Sequence, residues 1–165
     1  MGTPNPLGPT PQVGALLLRW VSALAQVRPG PGFKPVSSWY ARRYPREEPG
    51  VLAKAVALTK DVRVVRVSDV AVEAEVPSET NPSKTYRVKV YLYPLDFECT
   101  CPYSEHHFNP CKHVIATVLA LIAEPITRDF EGFYYRTLEG RVLASAVHYA
   151  LCVHAYMKAK QHTRV

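Results

Sequence analysis

The stretch Cys99-Thr-Cys-Pro-Tyr-Ser-Glu-His-His-Phe-Asn-Pro-Cys-Lys-His113 sets a C-x-C pair nine residues ahead of a C-x-H pair. Four such donors constrain a fold because a tetrahedral ion must draw them together from both ends of a loop. Zn²⁺ takes Cys₃His sets readily in structural sites. In an extended strand, residues two apart project to the same side, so Cys99 and Cys101 can face one ion. Cys111 stands where a helix should begin, with His113 in its first turn. There the unbonded amides and the helix dipole favour thiolate over thiol. Pro102 and Asn109-Pro110 bend the intervening residues back. The expected site is one closed, structural Zn²⁺ held by Cys99, Cys101, Cys111 and His113, with His106 and His107 in the loop as competing donors. Three thiolates, one neutral imidazole and Zn²⁺ sum to about −1, which Lys112 is placed to offset. A filled coordination sphere leaves no position for water or substrate, and no nucleophile–base pair stands out elsewhere, so the chain is expected not to be an enzyme.

The fourth cysteine fits this reading. Four cysteines could form two disulfides, but one residue separates Cys99 from Cys101, and a reducing compartment discourages bridges. Cys152 follows His148 by four residues, a spacing that could bind metal. Burial in an apolar helix face is the expectation for it.

Around the cluster the chain divides by pattern. Met1 to Gln12 carries Pro4, Pro6, Pro9 and Pro11 and reads as an extended tail. Thr10 and Pro11 can open a helix running to about Arg28, with Leu16, Leu17, Trp20, Val21 and Leu24 on its apolar face. Ser37 to Tyr44 reads as a short helix or turn. Val51–Leu58, Val62–Val67, Val70–Val76 and Thr85–Tyr93 carry strand signals, with turns at Ser68-Asp69 and Pro77–Ser83. Tyr86, Val88, Val90 and Leu92 alternate with Arg87, Lys89 and Tyr91, one face buried and one wet. A further short strand is expected over Asp96–Thr100, a helix over Lys112–Glu124, an aromatic loop after Pro125 and a long helix from Leu138 to about Lys160. The apolar positions of that last helix are Val142, Leu143, Ala146, Val147, Ala150, Val153 and Met157. The fold expected is α+β: an antiparallel β-sheet or hairpins with a ββα-type zinc finger, flanked by N- and C-terminal helices. Its segments are a tail (1–12), a basic helix and arm (13–46), a β-rich zinc module (47–124) and a helical extension (125–165).

Charge is unevenly spread. The net charge is +6 in 165 residues. Residues 1–46 hold Arg19, Arg28, Lys34, Arg42, Arg43 and Arg46 and no acidic residue, so the whole excess lies there. A basic arm on a neutral body suits a polyanionic partner, nucleic acid above all. Arginines there would meet phosphates, and Trp39, Tyr40 or Tyr44 would stack on bases. The competing reading packs the aromatics on the sheet. Arg63, Arg66, Arg87 and Lys89 alternate with Glu73, Glu75 and Glu79 on neighbouring strands, where cross-strand ion pairs are expected. No apolar run reaches the length of a membrane span, and Val13–Val27 lacks the marks of a signal peptide, so a cytoplasmic protein is expected.

The pattern C-x-C-x₉-C-x-H, continuing as Pro110-Cys-Lys-His-Val-Ile-Ala, resembles the SWIM-type zinc finger. The likeness extends upstream to Tyr86-Arg-Val-Lys-Val and more loosely to Trp39-Tyr-Ala-Arg-Arg-Tyr, covering roughly residues 38–123. It implies a ββα zinc module whose ligand positions fall on Cys99, Cys101, Cys111 and His113. Such modules occur in chromatin-remodelling ATPases, transposases and recombination accessory proteins, where they are taken to bind DNA or protein. None of the ATPase or transposase machinery accompanies the finger here. The functional expectation is a zinc-binding protein that binds RNA or DNA within a larger complex, such as a ribosomal or ribosome-associated protein. The nucleic-acid contacts would come from Arg19, Arg28, Lys34, Trp39, Tyr40, Arg42, Arg43 and Arg46. The alternative is a protein-interaction adaptor of the recombination-accessory type.

Overall fold

A computed structural model describes residues 9–30, 33, 50–106 and 109–163. Helix α1 (Pro9–Leu24) is followed, after Gly50, by α2 (Val51–Leu58) and a single 3₁₀ turn (Thr59–Asp61). Four strands come next: β1 (Arg63–Val67), β2 (Ala71–Pro77), β3 (Thr85–Leu92) and β4 (Leu95–Cys99). Four helices follow among the described residues: α3 (Pro102–His106), α4 (Lys112–Ala123), α5 (Phe130–Arg136) and α6 (Leu138–Thr163). The strands form one antiparallel sheet in the order β1-β2-β3-β4, so each turn joins neighbours. The fold is α+β, with helices flanking the sheet at both ends of the chain. No helix among the described residues is long and apolar enough to cross a membrane.

Helix α4 occupies the middle. It packs against α1, α2, α6 and the inner sides of β3 and β4. All its residues from His113 to Ala123 are buried except Ala120. A helix apolar all round belongs in a core, whereas one apolar stripe would have left a wet face. Around it close Val13, Leu17 and Val21 of α1, Val56 of α2, and Val72, Val76, Val88 and Val90 of the sheet. The approach of α1 is close enough that a Cβ on Gly14 would lie 2.4 Å from the Leu121 carbonyl oxygen.

The sheet follows the expected alternation. Val88, Val90 and Leu92 are buried, while Arg87 is exposed. On the wet face Arg63 and Arg87 both pair with Glu75, and Arg66 lies 3.7 Å from Glu73. Cross-strand ion pairing therefore accounts for most of those charges. Glu79 behaves differently: it pairs with Lys112 and ties the β2–β3 turn to the start of α4.

Several expectations are corrected. Val51–Leu58 is a helix, not a strand. Its β-branched residues are outvoted by alanines at 53, 55 and 57, and Ala55, Val56 and Leu58 bury one helical side. The aromatic segment after Pro125 contains α5, capped by Asp129, whose Oδ1 accepts from the Gly132 amide at 3.0 Å. Helix α1 starts at Pro9, inside the expected tail, and stops at Leu24 rather than Arg28. On α6, Val142 and Met157 are exposed, and the buried side runs through Ala144, Val147, Ala150 and Leu151. The Ser37–Tyr44 expectation lies outside the described residues.

Candidate metal centre

Strand β4 pairs with β3 up to Val88↔Cys99, so Cys99 leaves the sheet at its edge with its side chain half-buried. Two residues on, Cys101 turns inward and is 2% exposed. The chain then enters α3 with Pro102 in its first turn, where a missing amide costs nothing. Ser104 folds back on Cys101: its amide donates to the Cys101 carbonyl at 3.1 Å, and its hydroxyl lies 3.4 Å from Cys101 Sγ. Cys111 is the N-cap of α4, with extended backbone and its Sγ accepting from the Val114 amide at 3.4 Å. His113 follows within the first turn.

These elements bring the donor atoms of Cys99, Cys101, Cys111 and His113 within 4.8 Å of one another. No disulfide joins any of the four cysteines. Cys152 is buried on α6, as expected. The side chains of His106 and His107 lie outside the described residues.

The chemistry of the set fits a metal ion. His113 is buried, yet neither ring nitrogen has a hydrogen-bond partner among the described residues, an arrangement that costs on the order of 1–3 kcal/mol unless something else binds the ring. Without a cation, interaction with Cys111 and then burial push the Cys101 thiol up to about 12. Burial works against protonation of His113, but the Cys111 and Cys101 sulfurs outweigh it and raise its pKa. A Cys101 thiol that resists ionisation when crowded, beside a buried imidazole with no hydrogen-bond partner among the described residues, belongs to a donor set that a divalent cation satisfies. Three sulfurs and one nitrogen match a structural Zn²⁺.

Residues 86–122 match the family model of the SWIM zinc finger. The chain carries a SWIM zinc finger. The match spans β3, β4, α3 and most of α4, the ββα unit that holds all four donors. The finger fits one structural Zn²⁺. Comparison with curated proteins and with solved structures gave no match.

The structure adds residues that spacing did not reveal. Tyr86 on β3 lies against the His113 ring, centroids 4.8 Å apart, and helps fix its orientation. The SWIM-like stretch begins at Tyr86, but only strand register brings its ring against His113. Beside the SWIM finger, a cleft of about 320 Å³ opens between β4, the finger loop and α6. Its wall includes Asp96, whose carboxylate accepts from Lys158 Nζ at 2.7 Å and lies 3.0 Å from His154 Nε2. Burial works to raise the Asp96 pKa, and the bonds from Lys158 and His154 overcome it and hold the carboxyl below its ordinary value. Lys112, between two of the donors in the chain, makes an ion pair with Glu79.

Of the expected nucleic-acid contacts, Arg19 on α1 and Arg28 beyond it are described, and both are exposed. Arg28 reaches back to the Ala25 and Val27 carbonyls at 3.5 and 3.4 Å. Lys34, Trp39, Tyr40, Arg42, Arg43 and Arg46 lie outside the described residues.

Proposed function

We propose that this chain is a non-catalytic, cytoplasmic nucleic-acid-binding protein that works inside a larger ribonucleoprotein or DNA complex, with a ribosomal or ribosome-associated setting preferred. The observation that carries the reading is the separation of charge from metal. The whole positive excess lies in residues 1–46, and the SWIM finger is given over to building the core through α4. Four donors complete a zinc coordination sphere, which leaves the ion a structural part rather than a reagent. Lysines and arginines that neutralise phosphates release counterions, so affinity should fall steeply with salt. The test compares the zinc-loaded full chain with a variant in which Arg19, Arg28, Arg42, Arg43 and Arg46 are glutamine. Binding to RNA and to DNA is followed across a salt series. Weaker binding with a shallower salt slope supports the reading, and equal affinities and slopes would end it.

A second reading, an adaptor that binds a protein partner, draws on a specific surface. Leu18 and Ser22 of α1, Ala25 just beyond it, and Leu138, Val142 and Ala146 of α6 line an apolar groove of about 390 Å³. Leu138 and Val142 are 64% and 58% exposed, more than a settled helix face usually leaves in water. Co-purifying protein that survives nuclease and high salt would favour this reading; loss of all partners after nuclease would favour the first.

A further inference from the structure

The two edges of the sheet are treated differently. At β4 the strand is braced from outside, by α6 through Asp96 with His154 and Lys158, and by α1 and α6 through Phe97 packed on Trp20 and His154. At the other edge, among the described residues, β1 packs substantially on β2 alone. Every β1 residue from Arg63 to Arg66 is exposed, and Val67 is half-buried. Even Val64, on the core side opposite buried Ala74, is 36% exposed, and Val65, at the irregularity in register, is 44% exposed. A lone edge strand presents unpaired amides and carbonyls to solvent, and β-branched residues with neither Pro nor Gly keep it extended.

The side chains state what could pair there. On the inner edge, β1 already reads a strand: Arg63 faces Glu75, Val64 faces Ala74, Arg66 faces Glu73 and Val67 faces Val72. Arg63 and Arg66 make ion pairs with those glutamates, yet their side chains remain 74% and 75% exposed, so each guanidinium keeps donors for a second carboxylate. A second copy of β1 would set arginines against arginines across the new ladder, which is unfavourable. A strand alternating acidic with small or β-branched apolar residues, as β2 does, would satisfy both faces. It would pair its acids with Arg63 and Arg66 and cover Val64.

We propose that the outer edge of β1 is a docking site for an extended acidic–apolar segment of a protein partner, which adds to the sheet as a fifth strand. Backbone bonding supplies the hold, and the Arg63–Arg66 pair supplies the selection. This site is distinct from the basic arm and does not depend on how that arm is used.

Hydrogen exchange of the Arg63–Val67 amides in the zinc-loaded full chain tests the proposal. One probe is a capped peptide alternating glutamate with valine; its counterpart carries lysine in place of glutamate. The glutamate peptide should slow exchange of the outward-facing β1 amides about tenfold, and the lysine peptide should leave them unchanged. In the double variant Arg63→Glu/Arg66→Glu the preference should reverse, while the wild-type peptide comparison stands even if that variant folds poorly. Equal protection by both peptides would overturn the proposal. So would full protection before any peptide is added, which would mean that the chain or a second copy already covers the edge. Protection by a single-stranded oligonucleotide but not by the glutamate peptide would likewise overturn it and assign the face to nucleic acid.

Discussion

Cys111 caps the helix that it begins and stands among the metal donors, so one substitution removes both contributions. Cys111→Ser keeps an oxygen able to cap but takes away a thiolate. Because donor geometry and folding are coupled, zinc content and helical circular dichroism should fall together. A variant that lost zinc and kept its helical signal would show the cluster to be peripheral. A second residue sets a pH limit. His148 is buried, and neither ring nitrogen has a hydrogen-bond partner among the described residues. Burial depresses its pKa to about 4. The folded state therefore refuses a proton that the unfolded chain accepts once pH falls below about 6.5. Stability from the neutral ring is complete above that value and is lost as pH falls toward 4, by about 2 kcal/mol between pH 7 and pH 5. Denaturant unfolding of the zinc-saturated protein at both values measures it. His148→Leu should flatten that dependence, and an unaltered pH slope would show that other groups carry it.

At the scale of elements, the contact of α1 with α4 is set by the absence of a side chain. A Cβ at residue 14 would meet backbone at Leu121, which cannot swing aside as a side chain would. Gly14→Ala should therefore lower stability by about 1–3 kcal/mol despite alanine's better helix propensity. A raised melting temperature would show that the helices separate freely. The elements also show where pattern reading succeeds. The period of two in Tyr86–Leu92 and the donor spacing from Cys99 to His113 are local signals, and both gave the observed structure. Val51–Leu58 misled because valine and leucine suit either period over eight residues, and only burial of Ala55, Val56 and Leu58 against α4 decides. Helix α5 was legible in part: Phe130, Phe133 and Tyr134 fall at helical spacing behind Asp129, a good cap, but aromatic density obscured it.

For the whole molecule, the SWIM finger is not an appendage. Its helix is the axis about which α1, α2, α6 and the sheet close. Removing residues 1–46 would strip Val13, Leu17 and Val21 from that core, at about 2 kcal/mol each before any cavity cost. Domains are stable by only about 5–15 kcal/mol. A 47–165 fragment should thus show weakened near-ultraviolet circular dichroism and a lower urea midpoint than the full chain, with zinc supplied to both. An unchanged midpoint would make α1 dispensable. The basic arm must accordingly be probed by charge-removing substitution rather than by deletion, because its first half, α1, is part of the core.

The sequence by itself determined the donor set, the ββα order around it, the alternation of β3 and the location of the charge excess. Each of these rests on neighbours in the chain, where strand and helix geometry convert spacing directly into position. Only the tertiary structure decided that α4 is buried nearly all round, that Tyr86 steadies His113, that Asp96 is held by α6, and that among the described residues β1 is left exposed while β4 is braced by helices. Those outcomes depend on which surfaces meet across long stretches of chain. Burial and exposure are properties of that meeting, and no local pattern encodes them.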